Sequence, residues 1–314
     1  MSNIPIALFV YKRLWHTQQT IRSLQENALA AQSDLYIFSD APRDEAAEKE
    51  VSQVRAWIKT ISGFRQCHLI LREKNLGLAN SIIQGVSSIL SISNNIIVLE
   101  DDLVLSPFFL EYMHQGLALY QDDPQVASIH GYALPIKQTM PETYFLRGAD
   151  CWGWATWKRA WDKFEADGSV LLKQLKAQKL NKEFNFQGTQ ANTQMLQDQI
   201  TGKNNSWAIR WHASAFLHNM MTLYPGRSLV RNIGMDNSGE HCGFSKEWDT
   251  ELTKQPIAIH PLLVTQSALA YDAYVMHYKS LKRSWMDKIK GRVRRLLRLN
   301  AGHATKRQVI AEKL

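Results

Sequence analysis

This chain has few cysteines and no long hydrophobic run. Its three cysteines, Cys67, Cys151 and Cys242, are odd in number and far apart, so neither a disulfide framework nor a Cys-x-x-Cys metal site is predicted. No apolar run approaches the roughly 20 residues that a membrane span needs, and the first residues are typical of a strand rather than of a signal peptide. We therefore expect a globular protein of the reducing cytoplasm.

Two glycine-rich phosphate-binding motifs are also missing. The chain contains neither G-x-G-x-x-G nor G-x-x-x-x-G-K, so it lacks both the turn that holds a dinucleotide pyrophosphate and a P-loop. Its 314 residues, 45% of them hydrophobic, are nonetheless enough for one large domain or two coupled ones. If the protein binds a nucleotide, another group must hold the phosphates.

Acidic residues are scarce in the final segment. The net charge is +8, yet the chain from Lys279 onward has about 12 basic and 2 acidic residues. Apolar residues recur there at helical spacing between Trp285 and Leu297, which predicts a basic amphipathic helix in a tail over residues 279–314. Such a helix suits an anionic membrane surface; alternatively, it docks on the body through its apolar face. Nucleic-acid binding is not expected, because no reading motif accompanies the charge.

The first 130 residues alternate between strand-like and helix-like segments. Apolar strands are predicted over residues 4–11, 34–39, 68–71 and 95–99, with helical patterns after the first three. The first of these helices is predicted to begin near Thr17, and the second to have Ala47, Val51, Val54 and Ile58 on one apolar face. In open parallel sheets, ligands bind beyond the carboxyl ends of the strands. We therefore expect one crevice to contain Tyr11, Asp40, Asn75 and Glu100–Asp102.

Three consecutive acids, Glu100, Asp101 and Asp102, follow the fourth predicted strand. Like charges at the end of a buried strand cannot all stay ionised unless a positive group lies between them. Hard carboxylate oxygens suit Mg or Mn, and a cation held in this way keeps positions open for nucleotide phosphates. The acids therefore predict a divalent metal site, although one of them could instead cap a helix that begins near Ser106 and Pro107.

Tryptophan becomes frequent beyond about residue 131. The flat indole ring can stack on the apolar face of a sugar, but a buried structural tryptophan is at least as common. The segment Trp207–Trp211 is expected to combine packing with one charge near phosphate, that of Arg210. Residues 162–206 have the pattern of helix and polar loop. We interpret residues 131–278 as a second half that packs on residues 1–130. The tryptophans concerned are Trp152, Trp154, Trp157, Trp161, Trp207 and Trp211.

The stretch Ile96–Phe109 resembles a known family. It reads Ile-Ile-Val-Leu-Glu-Asp-Asp-Leu-Val-Leu-Ser-Pro-Phe-Phe and is similar to the GT-A-fold glycosyltransferases, in particular the N-acetylglucosaminyltransferase I type and bacterial family-2-like sugar transferases. The order of strands, Asp40 and the Asn-x-Gly at residues 75–77 are also similar to that fold. The resemblance covers residues 1 to about 265. It implies an α/β GT-A fold with a Rossmann-like nucleotide-binding half, a mixed central sheet and an acceptor-binding half.

The resemblance implies a metal shell and a catalytic base. Asp102 would ligate the metal directly, while Glu100 and Asp101 would bind ribose or reach the metal through water. A late histidine, His241, would complete the shell. The base of an inverting enzyme would be Asp198, on a helix of the second half. The alternatives left open for this base are Asp150, Asp236 and Glu240.

The resemblance also implies how the nucleotide-sugar would be bound. Asp40 would meet the base or ribose, and the backbone at Val10 and Tyr11 would line the base. A loop containing Trp152 and Gly153 would close on the donor sugar. The full set of donor-site candidates is Val10, Tyr11, Asp40, Asn75, Gly77, Glu100, Asp101, Trp152, Gly153 and Arg210.

The activity implied by the resemblance is a metal-dependent, inverting transfer of a hexosyl or N-acetylhexosaminyl group. The donor would be UDP-linked and the acceptor a glycan or lipid-linked glycan in surface polysaccharide or lipopolysaccharide synthesis. With the basic tail, we expect a peripheral protein on the inner face of the membrane. The alternatives are a retaining glycosyltransferase, a sugar nucleotidyltransferase, and a catalytically silent binding module docked on the membrane. A nucleotidyltransferase would need a glycine-rich signature near the first strand, which residues 7–13 lack.

Overall fold

The computed structural model describes residues 4–236 and 247–282. Most of the tail predicted over residues 279–314 lies outside these ranges, as do the site candidates His241 and Glu240. Within the described residues, no helix is long and apolar enough to cross a membrane.

An eight-stranded mixed sheet forms the centre of the described chain. Its strands, in chain order, are β1 (Ile6–Val10), β2 (Asp34–Ser39), β3 (Gln66–Leu71), β4 (Asn95–Glu100), β6 (Val126–His130), β7 (Thr143–Arg147), β8 (Trp154–Trp157) and β9 (Met221–Pro225). Their order across the sheet is β3-β2-β1-β4-β8-β6-β9-β7. A second sheet pairs β5 (Leu103–Leu105) with β10 (Val230–Asn232) in antiparallel fashion. The prediction of an α/β fold with a mixed central sheet is confirmed.

The four strands predicted in the first half are parallel neighbours. Strand β1 pairs with β2 on one side and with β4 on the other, and β3 pairs with β2. All five residues of β1 are buried, as expected for a parallel strand that is covered by helices on both faces. Strand β8 runs antiparallel to both β4 and β6, which makes the sheet mixed.

Helices connect these strands and cover the sheet. Each of the first three follows a strand of the parallel half, and the four positions predicted for the core face of α2 (Ala47, Val51, Val54 and Ile58) are its buried residues. The helices are α1 (Leu14–Gln25), α2 (Glu45–Ile58), α3 (Gly77–Leu90), α4 (Phe109–Leu119), α5 (Lys158–Trp161), α6 (Gly168–Ala177), α7 (Asn181–Phe184), α8 (Asn192–Ile200), α9 (Trp207–Leu217) and α10 (268–282).

Helices α6, α8 and α9 pack on one another and form a layer with its own apolar core. The core includes Leu175, Phe184 and Leu196, each fully buried. This layer corresponds to the helix and polar loop predicted over residues 162–206. It contains both Asp198, on α8, and Arg210, on α9.

The central sheet continues across the predicted boundary at residue 130. Strand β6 ends at His130, yet it lies between β8 and β9, which both belong to the predicted second half. The division into residues 1–130 and 131–278 stays a prediction. Trp154, the first residue of β8, is in register with Val98 near the end of β4 and with His130 at the end of β6. The candidate site lies at this edge of the sheet.

Candidate functional site

The carboxyl ends of β1, β2 and β4 meet at one edge of the sheet. Val10 at the end of β1 is in register with Ser39 of β2, and Phe9 is in register with Glu100 of β4. The amide of Asp40 donates to the carbonyl of Val10 at 3.2 Å. The structure therefore brings together the strand ends that were predicted to share a crevice.

Asp40 fastens the start of α3 to the end of β2. Its carboxylate accepts hydrogen bonds from the amides of Leu76 and Gly77, each at 2.9 Å. The side chain of Asn75 donates to the carbonyl of Ala41 at 2.7 Å. Gly77 has a φ of +72°, a conformation that favours glycine. These contacts give Asp40, Asn75 and Gly77 a structural role at the crevice, and their contacts to a nucleotide stay predictions.

Arg13 supplies the positive charge between the acids. Its Nη2 atom donates to Asp102 Oδ2 at 2.8 Å and also to Asp101 Oδ1. Arg13 lies between β1 and α1, immediately before the first residue of the helix. It is absent from the sequence candidates, although the rule that selected Tyr11 at the same strand end applies to it equally.

Burial perturbs the ionisation of the acids. It raises the pKa of Glu100 to about 8, and the charges of Asp102 and Asp101 add to the rise. Burial also raises the pKa of Asp101, against the opposing effect of Arg13. Burial alone would lower the pKa of Arg13, but the two aspartates raise it well above its ordinary value. Burial and the neighbouring aspartates therefore favour the neutral form of Glu100, and a further cation would favour its charged form.

The segment after β10 passes directly beside Asp102. The amide of Ile233 donates to the carbonyl of Asp102 at 2.8 Å. A Cβ atom on Gly234 would lie 2.0 Å from Asp102 Oδ2, so only glycine leaves room for this carboxylate. Two residues later, Asp236 Oδ2 lies 3.0 Å from Nε2 of the buried His16.

The loop before β8 lies across the end of β4. Trp154 of β8 is in register with Val98 of β4, and the preceding Gly153 has a φ of +66°. Burial raises the pKa of the Cys151 thiol well above its usual range, and the charges of Asp150, Glu100 and Asp102 contribute. The predicted donor-sugar loop therefore lies beside the acids.

Asp150 is positioned next to this loop by two neighbours. Its Oδ1 accepts a hydrogen bond from the Cys151 amide at 2.8 Å, and its Oδ2 lies 3.8 Å from His130 Nε2. The His130 side chain is fully buried, while that of Asp150 is 44% exposed. Neither ring nitrogen of His130 has a hydrogen-bond partner in the described residues. The pKa of His130 is lowered by burial, partly offset by Asp150.

The contacts of Asp198 and Arg210 lie in the helical layer. Asp198 accepts from Gln194 at 3.0 Å and lies 3.4 Å from Lys203. The Arg210 guanidinium donates to the carbonyls of Ser206 and Ala166, each at 3.1 Å. None of these partners belongs to the strand ends. The roles predicted for Asp198 as base and Arg210 as phosphate ligand gain no support from these contacts.

The chemistry of the donor atoms at the acids fits a divalent cation of the Mg or Mn type. Among the described residues, no three His, Cys, Asp or Glu side chains are grouped as a metal site. However, Mg in nucleotide sites is usually held by one or two carboxylates, with phosphates and water completing its shell. Asp102, with Glu100 nearby, fits that minimal arrangement, and the predicted ligand His241 lies outside the described residues.

Comparisons with known proteins give distant structural likenesses. No family model and no curated protein matches the chain. The chain is similar to the mannosyltransferase PcManGT from Pyrobaculum calidifontis in complex with GDP-Man and Mn2+, with 11% identity and a TM-score of 0.38 over 69% of this chain and 70% of that chain.

A second likeness is to S. aureus TarS, with 13% identity and a TM-score of 0.32 over 46% of this chain and 25% of that chain. The same identity and TM-score are found for TarS 1-349 in complex with UDP-GlcNAc, over 46% of this chain and 39% of that chain. The chain thus matches about a quarter of the longer TarS chain. At these TM-scores the functional argument rests on this chain's own residues.

Proposed function

We propose that this protein is a metal-dependent glycosyltransferase that uses a nucleotide-sugar donor. The proposal depends chiefly on one observation, the pairing of Asp101 and Asp102 with Arg13, beside Glu100, at the carboxyl edge of β1, β2 and β4. This edge of an open α/β sheet is where nucleotides bind. The resemblance of residues 96–109 to the GT-A glycosyltransferases supports the same class of reaction.

Asp102 would hold the cation, together with His241 according to the resemblance. When bound, the cation neutralises charge that develops on the leaving diphosphate. Arg13 already donates to Asp102, and its remaining N–H groups suit phosphate oxygens. Glu100 and Asp101 complete the site. The acids would attract the metal, and the Arg13 guanidinium would attract the diphosphate.

Asp150 is the base that the contacts favour among the candidates. Its carboxylate is partly exposed, and it shares the surroundings of Cys151 with Glu100 and Asp102. As the acceptor oxygen bonds to the anomeric carbon, the bond from that carbon to the diphosphate breaks and its electron pair leaves with the nucleotide. The acceptor proton passes to Asp150. An attack opposite the leaving group would invert the anomeric carbon.

The finer parts of the proposal rest on the resemblance and on the tail. They are a UDP-linked hexose or N-acetylhexosamine donor, and a glycan or lipid-linked acceptor of surface polysaccharide or lipopolysaccharide. The basic residues after Lys279 favour an anionic membrane as the place of reaction. Such a surface would hold a lipid-linked acceptor beside the crevice.

The proposal is tested by release of nucleoside diphosphate. The full chain is incubated with UDP- and GDP-sugars, with MnCl2 or with EDTA, and the free diphosphate is measured. We expect release from one donor with Mn, and a loss of at least about 100-fold with EDTA or in Asp102→Asn, since a charged ligand of the transition state is removed. The matched control is Asp162→Asn, an exposed acid that pairs with Lys158. Equal release from wild type and Asp102→Asn would contradict the proposal.

A further inference from the structure

Three partly exposed aromatic rings and one partly exposed carboxylate offer the kinds of contact that suit a sugar ring. Asp150, Trp152, Trp248 and Tyr278 are each partly exposed, and we call them the aromatic cleft. We propose that the aromatic cleft binds the acceptor as a pyranose, with its rings against the C–H face of the sugar and Asp150 as the partner of the reacting hydroxyl. This inference rests on the proposed function, which it extends from the donor to the acceptor.

The rings of the aromatic cleft contact one another across three separate segments of the chain. The Trp152 and Trp248 rings are 6.2 Å apart and nearly perpendicular, at 85°. The Trp248 and Tyr278 rings are 6.1 Å apart, at 48°. Behind them, Tyr132 packs edge-on against Trp152 at 4.7 Å and donates its hydroxyl to the carbonyl of Trp248 at 2.7 Å. The rings are thus held at fixed angles with part of their area open.

Asp150 adds a carboxylate two residues before Trp152 in the chain. Its charge contributes to the raised pKa values of Tyr132 and Tyr278, for which burial is the first cause. One carboxylate oxygen accepts a hydrogen bond from the Cys151 amide, and the side chain as a whole is 44% exposed, so a ligand can reach the carboxylate from solvent. Partly exposed rings next to an oriented carboxylate offer a pyranose both an apolar face and a hydroxyl partner.

His130 supports the same carboxylate from the buried side. Both of its ring nitrogens are buried without a hydrogen-bond partner in the described residues, so the Asp150 carboxylate is a partner that a small movement would supply. At 3.8 Å from Asp150 Oδ2, its Nε2 needs a shift of about 1 Å to donate a hydrogen bond. Hydrogen bonds of catalytic groups are often long before substrate binds. His130 is therefore a positioning residue for Asp150.

The other tryptophans of the second half are used for packing. Trp154 and Trp211 are fully buried, and the Trp154 ring stacks at 5.5 Å on that of Trp207. These rings form the core between the sheet and α9, where no sugar can reach them. The aromatic cleft differs from this core because its rings are partly exposed and because Asp150, two residues before Trp152, adds a carboxylate.

The test is saturation-transfer NMR of the full chain with methyl pyranosides of glucose, galactose, mannose and N-acetylglucosamine, in the presence of MnCl2. We expect at least one glycoside to receive saturation, mainly on its C–H face. Its affinity should fall about fivefold in Trp248→Ala and in Tyr278→Ala, the contribution of one ring contact. Trp248→Phe should retain most of the affinity. The matched control is Tyr271→Ala, a tyrosine on the same helix whose ring packs on Phe186.

Two results would overturn the inference. One is the absence of saturation on every glycoside with the wild-type chain. The other is equal affinity in Trp248→Ala, Tyr278→Ala and Tyr271→Ala, with each variant retaining wild-type melting. Failure of the donor proposal gives a different pattern, in which glycosides bind at the aromatic cleft but no nucleotide-sugar stabilises the protein.

Discussion

Arg13 controls the charge balance of the three acids at the end of β4. It donates to both Asp101 and Asp102. The side chains of Arg13 and of these two aspartates are largely buried. The acids alone predict a positive partner, but the sequence does not say which one. Arg13 lies next to the acids because α1 begins at Leu14, three residues earlier than the predicted start near Thr17. A small error in a helix boundary was enough to hide this residue.

Replacement of Arg13 tests its role as the counter-ion. In metal-free buffer, Arg13→Gln should lower the free energy of unfolding by about 3 kcal/mol, since removal of one partner leaves buried carboxylates uncompensated. Arg43→Gln is the control. Its side chain is 61% exposed and pairs with Asp44, so its loss should cost less than about 1 kcal/mol. Urea unfolding measures both variants, and equal losses would refute the counter-ion role.

We expect His130 to make the stability of the protein depend on pH. Burial lowers its pKa in the folded state, so below the ordinary value of about 6.5 the unfolded chain binds a proton that the folded chain does not. Stability contributed by neutral His130 is therefore present above about pH 6.5 and is lost as the pH falls. The loss is at most about 1.4 kcal/mol per pH unit.

His130→Gln removes this proton-linked contribution. Urea unfolding of wild type and variant should be compared at pH 7, 6 and 5. The other histidines, including the buried His212, affect both proteins alike, so the difference between the two proteins reports on His130. We expect the difference in free energy of unfolding between the two proteins to shrink as the pH falls. A difference that stays constant or grows would show that His130 is protonated in the folded protein.

The element that positions the proposed donor site is the parallel unit of β1, β2 and β4 with α3. Helix α3 approaches β1 closely at Gly85, where an added Cβ atom would lie 2.5 Å from the Phe9 ring. The Phe9 ring is buried and stacks on Phe38 at 4.9 Å, so it has little freedom to move aside. This packing supports the end of β1 from which Arg13 follows.

Gly85→Ala tests this packing against helix propensity. Propensity alone favours alanine in a helix interior by about 1 kcal/mol, whereas overpacking costs typically about 1–3 kcal/mol. We expect a net destabilisation in thermal or urea unfolding. Ser88→Ala, on the exposed side of the same helix, should be neutral or slightly stabilising. A stabilised Gly85→Ala would mean that α3 does not pack on β1 in this way.

The strands and helices of the first half are well predicted because their signals are local. The apolar run of β4 and the spacing of Val51, Val54 and Ile58 in α2 can be recognised without knowledge of the rest of the fold. The pairing of Asp150 with His130 is different. It requires β8 to insert between β4 and β6, a non-local arrangement that no short pattern indicates.

On the scale of the whole molecule, the central sheet connects the acids of the proposed donor site with the loop that contains Asp150 and Trp152. The acids follow β4, His130 ends β6, and the loop with Asp150 enters β8, and these strands are neighbours. The sequence predicts the acidic edge and its loop but not the cleft, because Trp248 and Tyr278 come from distant segments. The proposed donor and acceptor sites are therefore adjacent by virtue of the strand order.

The most direct test of a nucleotide-sugar site is ligand-linked thermal stability. The full chain is melted with a panel of UDP- and GDP-sugars, with and without MnCl2, because a ligand that binds only the folded state raises the melting temperature. We predict that one nucleotide-sugar raises it in a Mn-dependent manner, and that Asp102→Asn abolishes the shift while Asp162→Asn retains it. No shift with any nucleotide-sugar, or an equal shift in Asp102→Asn, would contradict the proposed site at the acids.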